Sequence, residues 1–304
     1  LDYILRRALD RNAKRVATFG AAGSNHALAT AVHAKETGLE CTCFLSHQKW
    51  SPKVPLNLNM HRRLGTEIVR FGGSIPTLPL FRNFLQHRNT WVVPLGGSSW
   101  LGAVGFVNAG LELAEQVARR EIPCPDRIYI ANGTMGSTVG LLLGLAAAGL
   151  QTEVHAVCVV DERFGNPGMF DRLLQKTAMM LHRADPSFEA DIVDRTHLTW
   201  RGEFLAGGYA AYDEQTLHGV DVARNDLGLR LETTYTGKAM AAILHDLQLP
   251  EYDGENYLFW NTHNSRALPV DASMPETLDN IPKDFLRYYE QAMGHQSNNC
   301  RTDK

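Results

Sequence analysis

Short apolar runs with strand character alternate along this chain with longer runs of helix-forming residues. The strand-like runs are residues 15–19, 39–45, 67–71, 90–95, 126–132, 152–160 and 256–262. Such alternation is typical of parallel β-sheets with helices on both faces. The runs RIYIA and VHAVCVV are almost continuously apolar, as strands covered on both faces are. The sequence therefore predicts an α/β fold with parallel-rich sheets flanked by helices.

Length and charge narrow the classes of protein to which the chain can belong. Its 304 residues suggest two domains. Its 44% apolar and 21% charged residues are ordinary for a globular protein. The net charge is −3 and no basic block is present, so we expect no nucleic-acid partner. No apolar run approaches the ~20 residues that span a bilayer, and no signal peptide is recognisable, so we expect no membrane partner.

The cysteines form neither a CxxC motif nor a regular framework. They are Cys41, Cys43, Cys124, Cys158 and Cys300. This spacing predicts free buried thiols in a reducing compartment, and hence a cytoplasmic protein. No His-x-x-x-His spacing is present, and we predict no metal site.

Glycine-rich turns are the places to look for a ligand, because parallel α/β folds bind ligands where strands end and helices begin. Three such turns stand out, at residues 20–25, 96–99 and 133–138. In the first, GAAGSNH, Ser24 and Asn25 open a predicted helix. Two interpretations are open: the polar side chains cap the helix, or they face a ligand at its N-terminus.

The turn in IYIANGTMGSTVG has the composition of a phosphate site. Its residues are Gly133, Thr134, Met135, Gly136, Ser137 and Thr138. Glycines let backbone N–H groups approach an anion, and the hydroxyls add donors at a helix N-terminus. The turn matches neither a Walker A loop nor GxGxxG, which argues against nucleoside triphosphates and dinucleotides and leaves a monophosphate. A tight turn with Ser/Thr capping is the alternative.

Tyr235 and Thr236 form a second candidate site in YTGKAM. They follow RLETT and precede an apolar helix, so the sequence predicts a strand-to-helix junction. A tyrosine is costly in a turn unless its phenol is used in chemistry. The alternative is a packed tyrosine beside a threonine N-cap.

Five segments together resemble one enzyme family. They are GSNHALATA, PLGGSSWLGAVGFVNAGLELA, ANGTMGSTVGLLLGL, YTGKAMA and YLFWNT. Their order is that of the D-cysteine desulfhydrase / 1-aminocyclopropane-1-carboxylate (ACC) deaminase family, which consists of fold type II pyridoxal-phosphate (PLP) enzymes similar to tryptophan synthase β. The resemblance covers roughly residues 1–268. It implies a large PLP-phosphate-binding domain of residues 1–13 and 109–304, a small domain of residues 14–108, and a homodimer.

The resemblance implies cofactor contacts. Asn25 resembles the asparagine that bonds the phenolic oxygen of PLP. The loop of residues 133–138 resembles the phosphate cup. Thr236 occupies the position of the family's partner for the pyridine nitrogen.

The resemblance also implies substrate contacts and catalytic roles. Ser24 resembles the serine that meets the substrate near its carboxylate or Cα. Tyr235 resembles the active-site tyrosine, and these two residues are the candidate catalytic groups. His26 and Thr262 complete the candidate substrate site.

Two departures from the family pattern stand out. The family's Schiff-base lysine lies in a Gly-Gly-Asn-Lys-x-Arg-Lys segment just before the stretch that residues 1–5 resemble, and that segment is absent here. Leu1 also begins an apolar helical stripe without a cap, so we expect that upstream sequence is missing and that the 304 residues alone are inactive. In addition, His263 and Asn264 replace two family glycines.

The implied reaction is β-elimination from D-cysteine or a similar small amino acid, giving a 2-oxo acid and ammonia. Hydroxyls at Thr236 and Thr262 resemble desulfhydrases, whereas ACC deaminases carry glutamate and leucine. The implied classes are lyase, hydrolase or deaminase. The alternatives are ACC deaminase, a non-catalytic PLP-fold binding or regulatory protein, or an unrelated sugar-phosphate or nucleotide enzyme. The N-terminal sequence of the native gene product separates lyase from binding protein, whereas the exact substrate and its chirality do not follow from the sequence.

Overall fold

The computed structural model describes most of the chain. The described residues are 1–72, 78–264, 277–279 and 281–293. The chain folds into two compact units, Leu1–Gly97 with Ala267–Lys304, and Ser98–Arg266. The division implied by the resemblance has other boundaries, after residues 13 and 108, and stays a prediction.

The first unit contains a parallel sheet whose strand order is β3-β2-β1-β4. Its elements are α1 (Asp2–Asp10), β1 (Arg15–Ala21), α2 (Asn25–Glu36), β2 (Glu40–Ser46), α3 (Lys53–Leu64), β3 (Glu67–Arg70), α4 (Leu78–Gln86) and β4 (Thr90–Val92). Residues 287–293 are also helical. β1 and β2 pair in register from Arg15 opposite Glu40 to Ala21 opposite Ser46. Their carboxyl ends therefore lie at one edge of the sheet.

The second unit contains a parallel sheet with strand order β7-β6-β5-β8. Its elements are α5 (Trp100–Ala118), β5 (Arg127–Asn132), α6 (Gly136–Ala147), β6 (Glu153–Cys158), α7 (Pro167–Ala184), β7 (Leu198–Arg201), α8 (Glu214–Asn225), α9 (Thr236–Asp246) and β8 (Tyr257–Trp260). The predicted α/β fold with parallel sheets is thereby confirmed. All seven predicted strands are present, and the sequence missed β7, which has only four residues and is mostly half-buried.

Close packing of α5 on α6 forms the core of the second unit. A Cβ placed on Gly140 or Gly144 would collide with the backbone carbonyl oxygen of Ala103 or Val107. α6 is buried from Thr138 to Ala146. Glycine is therefore required where the two helix backbones meet, and this packing holds α6 against the end of β5.

A buried charge network lies between the second sheet and the end of α9. The Asp246 carboxylate, 1% exposed, accepts two hydrogen bonds from Arg201, at 2.5 and 2.9 Å, and one from Tyr129 at 2.6 Å. Burial opposes its ionisation, but the bonds from Arg201 and Tyr129 prevail and lower the pKa of Asp246 to about 2. The network is internally satisfied, so we assign it a structural role.

The thiols in the described part of the chain are free. Cys41, Cys43 and Cys158 are buried as predicted, but Cys124 is exposed, because it lies in the connection before β5; Cys300 is outside the described residues. The sulfur atoms of Cys41 and Cys43 are 3.8 Å apart and form no disulfide bond. No helix among the described residues has the length and apolar character needed to cross a membrane.

His61 on α3 provides a pH test of the first unit. It is fully buried, and within the described residues its ring nitrogens have no hydrogen-bond partner. Burial lowers its pKa from 6.5 to about 4. Between pH 6.5 and about 4 the unfolded chain binds a proton at His61 that the folded protein excludes. The contribution of the neutral imidazole to stability is therefore present above the unfolded pKa and is lost as the pH falls.

As the pH falls from 6.5 to about 4, the wild-type protein loses unfolding free energy. We expect His61→Leu to lose up to about 3 kcal/mol less than the wild type over this range. Urea unfolding across this pH range measures the effect. The exposed His218→Leu is the control and should keep the wild-type slope. An unchanged slope in His61→Leu would contradict the assignment.

Candidate active site

The loop of residues 133–138 joins β5 directly to the N-terminus of α6. Met135 is the N-cap residue and has a left-handed φ of 71°, a conformation that costs energy for a non-glycine residue and is concentrated at functional sites. Gly136 begins the helix. The loop thus takes the strand-to-helix turn that the sequence predicted.

Two hydroxyls of the loop are committed to the protein itself. Thr134 Oγ1 accepts a hydrogen bond from Ser98 Oγ at 2.7 Å, and Ser98 Oγ accepts one from the Gly136 N–H at 3.2 Å. Thr138, fully buried, donates to Asn132 Oδ1 at 2.9 Å. Ser98 is a residue that sequence reasoning left out, although its GGSS turn was noted. These bonds shape the loop and leave other groups for a ligand.

The free donors of this loop fit a phosphate group. α6 has no side-chain cap and no acidic residue in its first turn, whereas α5, α7 and α8 are capped by Ser99, Asn166 and Asp213. Within the described residues, the Ser137 hydroxyl makes no hydrogen bond. Uncapped N–H groups and the helix dipole favour an anion here.

A carboxylate organises the turn before α9. Glu232 accepts hydrogen bonds from the backbone N–H groups of Thr234, Tyr235 and Thr236, at 2.9, 2.8 and 3.0 Å. The expected strand-to-helix junction is wrong, since residues 231–235 are not a strand. The Glu232 carboxylate holds them in a turn instead. Glu232 lies four residues before Thr236, so no capping signature in the sequence pointed to it.

Tyr235 lies beside the first residue of the candidate phosphate loop. A Cβ built on Gly133 would lie 3.9 Å from Tyr235 Cε1. The Tyr235 hydroxyl donates to the Tyr209 hydroxyl at 2.9 Å, and the two rings meet edge to face. Burial, followed by the contact with Tyr209 and the charge of Glu232, raises the pKa of Tyr235 well above its usual value. Sequence reasoning missed Tyr209, which becomes a neighbour only in the folded chain.

Lys238 holds the segment that carries Tyr209. Its ammonium group donates to the carbonyl oxygens of Leu205 and Gly208, at 2.6 and 3.0 Å. The side chain is fully buried, and this burial lowers the pKa of Lys238 to about 8. Both bonds go to backbone oxygens, so Lys238 has a structural role.

Thr236 is fully buried at the start of α9. Its Oγ1 accepts the Glu232 N–H at 3.2 Å and lies 3.4 Å from Glu232 Oε1. Thr262, two residues after β8, is exposed. The neighbouring His263 ring bonds the Arg230 carbonyl oxygen at 3.2 Å. The roles of both threonines toward a pyridine nitrogen or substrate stay predictions.

In the first unit, Ser24 is the N-cap of α2, and Asn25 is the first helical residue. Ser24 Oγ accepts the Ala27 N–H at 3.2 Å, so capping falls to the serine. Within the described residues, the partly exposed Asn25 side chain makes no hydrogen bond. Of the two interpretations, capping holds for Ser24, and Asn25 has a free amide for a ligand.

His26 packs inside the first unit. Its Nε2 is 3.0 Å from Thr18 Oγ1, and burial lowers its pKa to about 4. The imidazole is therefore neutral at physiological pH. Its predicted contact with substrate is not tested by these bonds.

Two groups of candidate residues thus emerge, one in each unit. The second unit brings the loop of residues 133–138 together with Tyr235, and Thr236 follows directly; the first unit brings Ser24, Asn25 and His26 together at the start of α2. The described residues contain no cluster of three or more His, Cys, Asp or Glu side chains suited to a metal.

An α/β unit with a helix N-terminus suited to a phosphate and a phenol beside it is compatible with a cofactor-dependent enzyme. The model of the family "Pyridoxal-phosphate dependent enzyme" matches residues 1–262. The chain belongs to this family, and its cofactor is PLP.

Known proteins similar to the chain include enzymes of this family. D-cysteine desulfhydrase of Yersinia enterocolitica is 30% identical over 278 residues, 88% of this chain and 81% of that protein. Nocardicin C-9' epimerase of Nocardia uniformis is 28% identical over 302 residues, 95% of this chain and 86% of that protein. The crystal structure of an ACC deaminase homologue is similar with a TM-score of 0.69 and 25% identity, covering 85% of this chain and 76% of that one.

These similarities confirm the predicted class, a fold type II PLP-dependent lyase or deaminase. The non-catalytic alternative is not favoured. The predicted hydrolase class is wrong, because the similar proteins are PLP-dependent lyases or deaminases.

Gly136 allows a direct test of the loop. A Cβ there would lie 2.8 Å from Ser98 Oγ and 3.2 Å from Ser98 Cα, so Gly136→Ala displaces the segment that shapes the loop. We expect PLP affinity, measured by absorbance titration, to fall roughly 10–100-fold, the worth of one or two hydrogen bonds.

Gly133→Ala is the matched control, because its Cβ would meet protein atoms no closer than 3.7 Å. It should change PLP affinity by less than about threefold. An equal loss in both variants would indicate crowding of the phosphate itself. Unchanged affinity in Gly136→Ala would reduce the loop to an ordinary turn.

Proposed function

We propose that the protein catalyses β-elimination from a small β-substituted amino acid such as D-cysteine. In the overall reaction the Cβ–S bond breaks, one water enters, and hydrogen sulfide, ammonia and a 2-oxo acid leave. The observation that carries the proposal is the Tyr235–Tyr209 phenol pair beside a loop suited to the cofactor's phosphate. Similarity to the D-cysteine desulfhydrase supports the substrate class.

The residues at the start of α6 are suited to anchor the cofactor. The backbone N–H groups and the Ser137 hydroxyl would hold the phosphate of PLP, and the α6 dipole would favour its charge. Asn25 would supply an amide donor to the ring oxygen. The chemistry that PLP supplies when bound is an electron sink next to the substrate's Cα.

Tyr235 is suited to move a proton at the leaving group. A phenol is un-ionised at neutral pH, so Tyr235 Oη can hold or donate a proton at a departing sulfur. Tyr209 Oη, 2.9 Å away, can accept from Tyr235 or return a proton to it, because hydroxyl hydrogens rotate. Ser24 would orient the substrate by its hydroxyl, which accepts from Ala27 but can still donate.

The neutral hydroxyl of Thr236 favours elimination over opening of a cyclopropane ring. A carboxylate at that position would hold a pyridine nitrogen protonated more strongly than a threonine can. Elimination of a good leaving group needs less charge stored in the ring than opening of a cyclopropane does. We therefore place ACC deaminase second.

We also propose a cytoplasmic location and a homodimer. Free thiols at Cys41, Cys43, Cys124 and Cys158 support a reducing compartment. The homodimer rests on the resemblance alone, and sedimentation of the native gene product tests it.

The reaction is tested with the native gene product saturated with PLP. We expect it to release 2-oxo acid from D-cysteine or another β-substituted alanine, and little from ACC. The measurement is 2-oxo acid formation coupled to a dehydrogenase. Faster turnover of ACC than of every β-substituted amino acid would overturn the reaction assignment.

Tyr235→Phe tests the proton donor. We expect turnover to fall roughly 10²–10⁴-fold, the usual worth of a positioned proton-transfer group, with PLP affinity unchanged. The exposed Tyr3→Phe is the control and should keep wild-type turnover. Full activity in Tyr235→Phe would remove the phenol from the mechanism.

A further inference from the structure

The Glu232 carboxylate is tied to the two residues on which the candidate chemistry depends. Oε1 accepts from the N–H groups of both Tyr235 and Thr236, at 2.8 and 3.0 Å, while Oε2 accepts from Thr234 at 2.9 Å. One side chain therefore determines the backbone position of two adjacent candidate site residues.

The bond with Thr236 is reciprocal, which makes the turn rigid. The Glu232 N–H donates to Thr236 Oγ1 at 3.2 Å, and the Gly237 N–H donates to the Glu232 carbonyl oxygen at 2.8 Å. Side chain and backbone of Glu232 and Thr236 therefore satisfy each other in both directions, from a glutamate that precedes the helix. The backbone N–H and the carboxylate of Glu232 thus both contact the Thr236 hydroxyl and fix its position.

Glu232 also places a negative charge near both phenols. Burial is the larger cause, and the Glu232 carboxylate adds to it in raising the pKa of Tyr209 and of Tyr235. In the described part of the chain, the other charged groups that face this carboxylate are few: Lys238 is near it, and Asp213 and Asp161 face Lys238 in turn. An anion beside a phenol disfavours loss of the phenolic proton.

We propose that Glu232 is the positioning residue of this site: its carboxylate fixes the backbone of Tyr235 and Thr236 and places a negative charge beside the phenol pair. The proposal rests on the proposed elimination reaction. Glu232 acts through Tyr235 and Thr236 and does not itself touch the reacting atoms. Its loss is then expected to affect turnover and its pH dependence as well as stability.

Asp213 provides a matched control for a purely structural cap. It caps the neighbouring helix α8 by accepting from Thr216 N at 2.9 Å and Thr216 Oγ1 at 2.7 Å. Asp213→Asn and Glu232→Gln both replace a capping carboxylate by an amide. If Glu232 only caps α9, the two variants should behave alike.

The first readout is the ultraviolet absorbance of tyrosinate during alkaline titration, with Tyr235→Phe as the baseline for the pair. We expect Glu232→Gln to lower the pH at which the pair ionises, and Asp213→Asn to leave it unchanged. The second is turnover: we expect a loss of roughly 10–100-fold in Glu232→Gln, as for a small misplacement of catalytic groups. Its alkaline limb should move to lower pH. Asp213→Asn should lower only the Tm.

Glu232→Asp separates charge from reach. It keeps the anion but shortens the arm, so phenol ionisation should stay at the wild-type pH while turnover falls. This variant also decides the matter if Glu232→Gln does not fold. Wild-type turnover in Glu232→Asp, or the same pattern in Glu232→Gln and Asp213→Asn, would overturn the proposal. If the native enzyme eliminates from no amino acid, the proposed function fails, whereas the tyrosinate titration still tests Glu232.

Discussion

Backbone packing between α5 and α6 is the constraint on which the candidate cofactor site depends. Gly140 and Gly144 lie against carbonyl oxygens of α5, where any side chain would collide. α6 is buried over most of its length and has apolar residues on every side, so it has no freedom to slide. Its N-terminus is consequently held at the end of β5, with uncapped N–H groups that an anion can satisfy.

The polar groups around this N-terminus divide into those the protein uses and those it leaves open. Ser98, Thr134 and Thr138 bond one another or Asn132, and they shape the loop. The N–H groups of Ser137 and Thr138 and the Ser137 hydroxyl remain. A phosphate can bind without breaking any internal bond, so the loop is preorganised for it.

At the start of α9, in contrast, the protein itself uses the backbone N–H groups. The Glu232 carboxylate satisfies the N–H groups of α9 that a free helix end would expose to water. α6 carries no equivalent residue. Two helices of one unit thus have opposite termini: one is closed by a carboxylate that orders Tyr235 and Thr236, and the other is open to an anion.

Sequence reasoning succeeded where a signal is local. Short apolar runs alternating with helix-like runs indicated the strands, and the glycines of residues 133–138 indicated a strand-to-helix turn, as the structure has it. It failed where side-chain hydrogen bonds decide the backbone conformation and where a strand is short. RLETT has residues common in strands, but Glu232 forms a turn there through bonds that composition does not reveal. β7 was missed because it has only four residues, three of them half-buried, and their pattern is too weak.

The sequence by itself determined the fold class, the family and the positions of the polar turns, because periodicity, glycine spacing and motif order are properties of neighbours along the chain. Only the tertiary structure decided which polar groups are free. Ser98 meets Gly136 from 38 residues away, and Tyr209 meets Tyr235 from 26 residues away. Such partners are brought together by packing of the helices on the sheet. A hydroxyl's availability for chemistry depends on the partner that packing gives it.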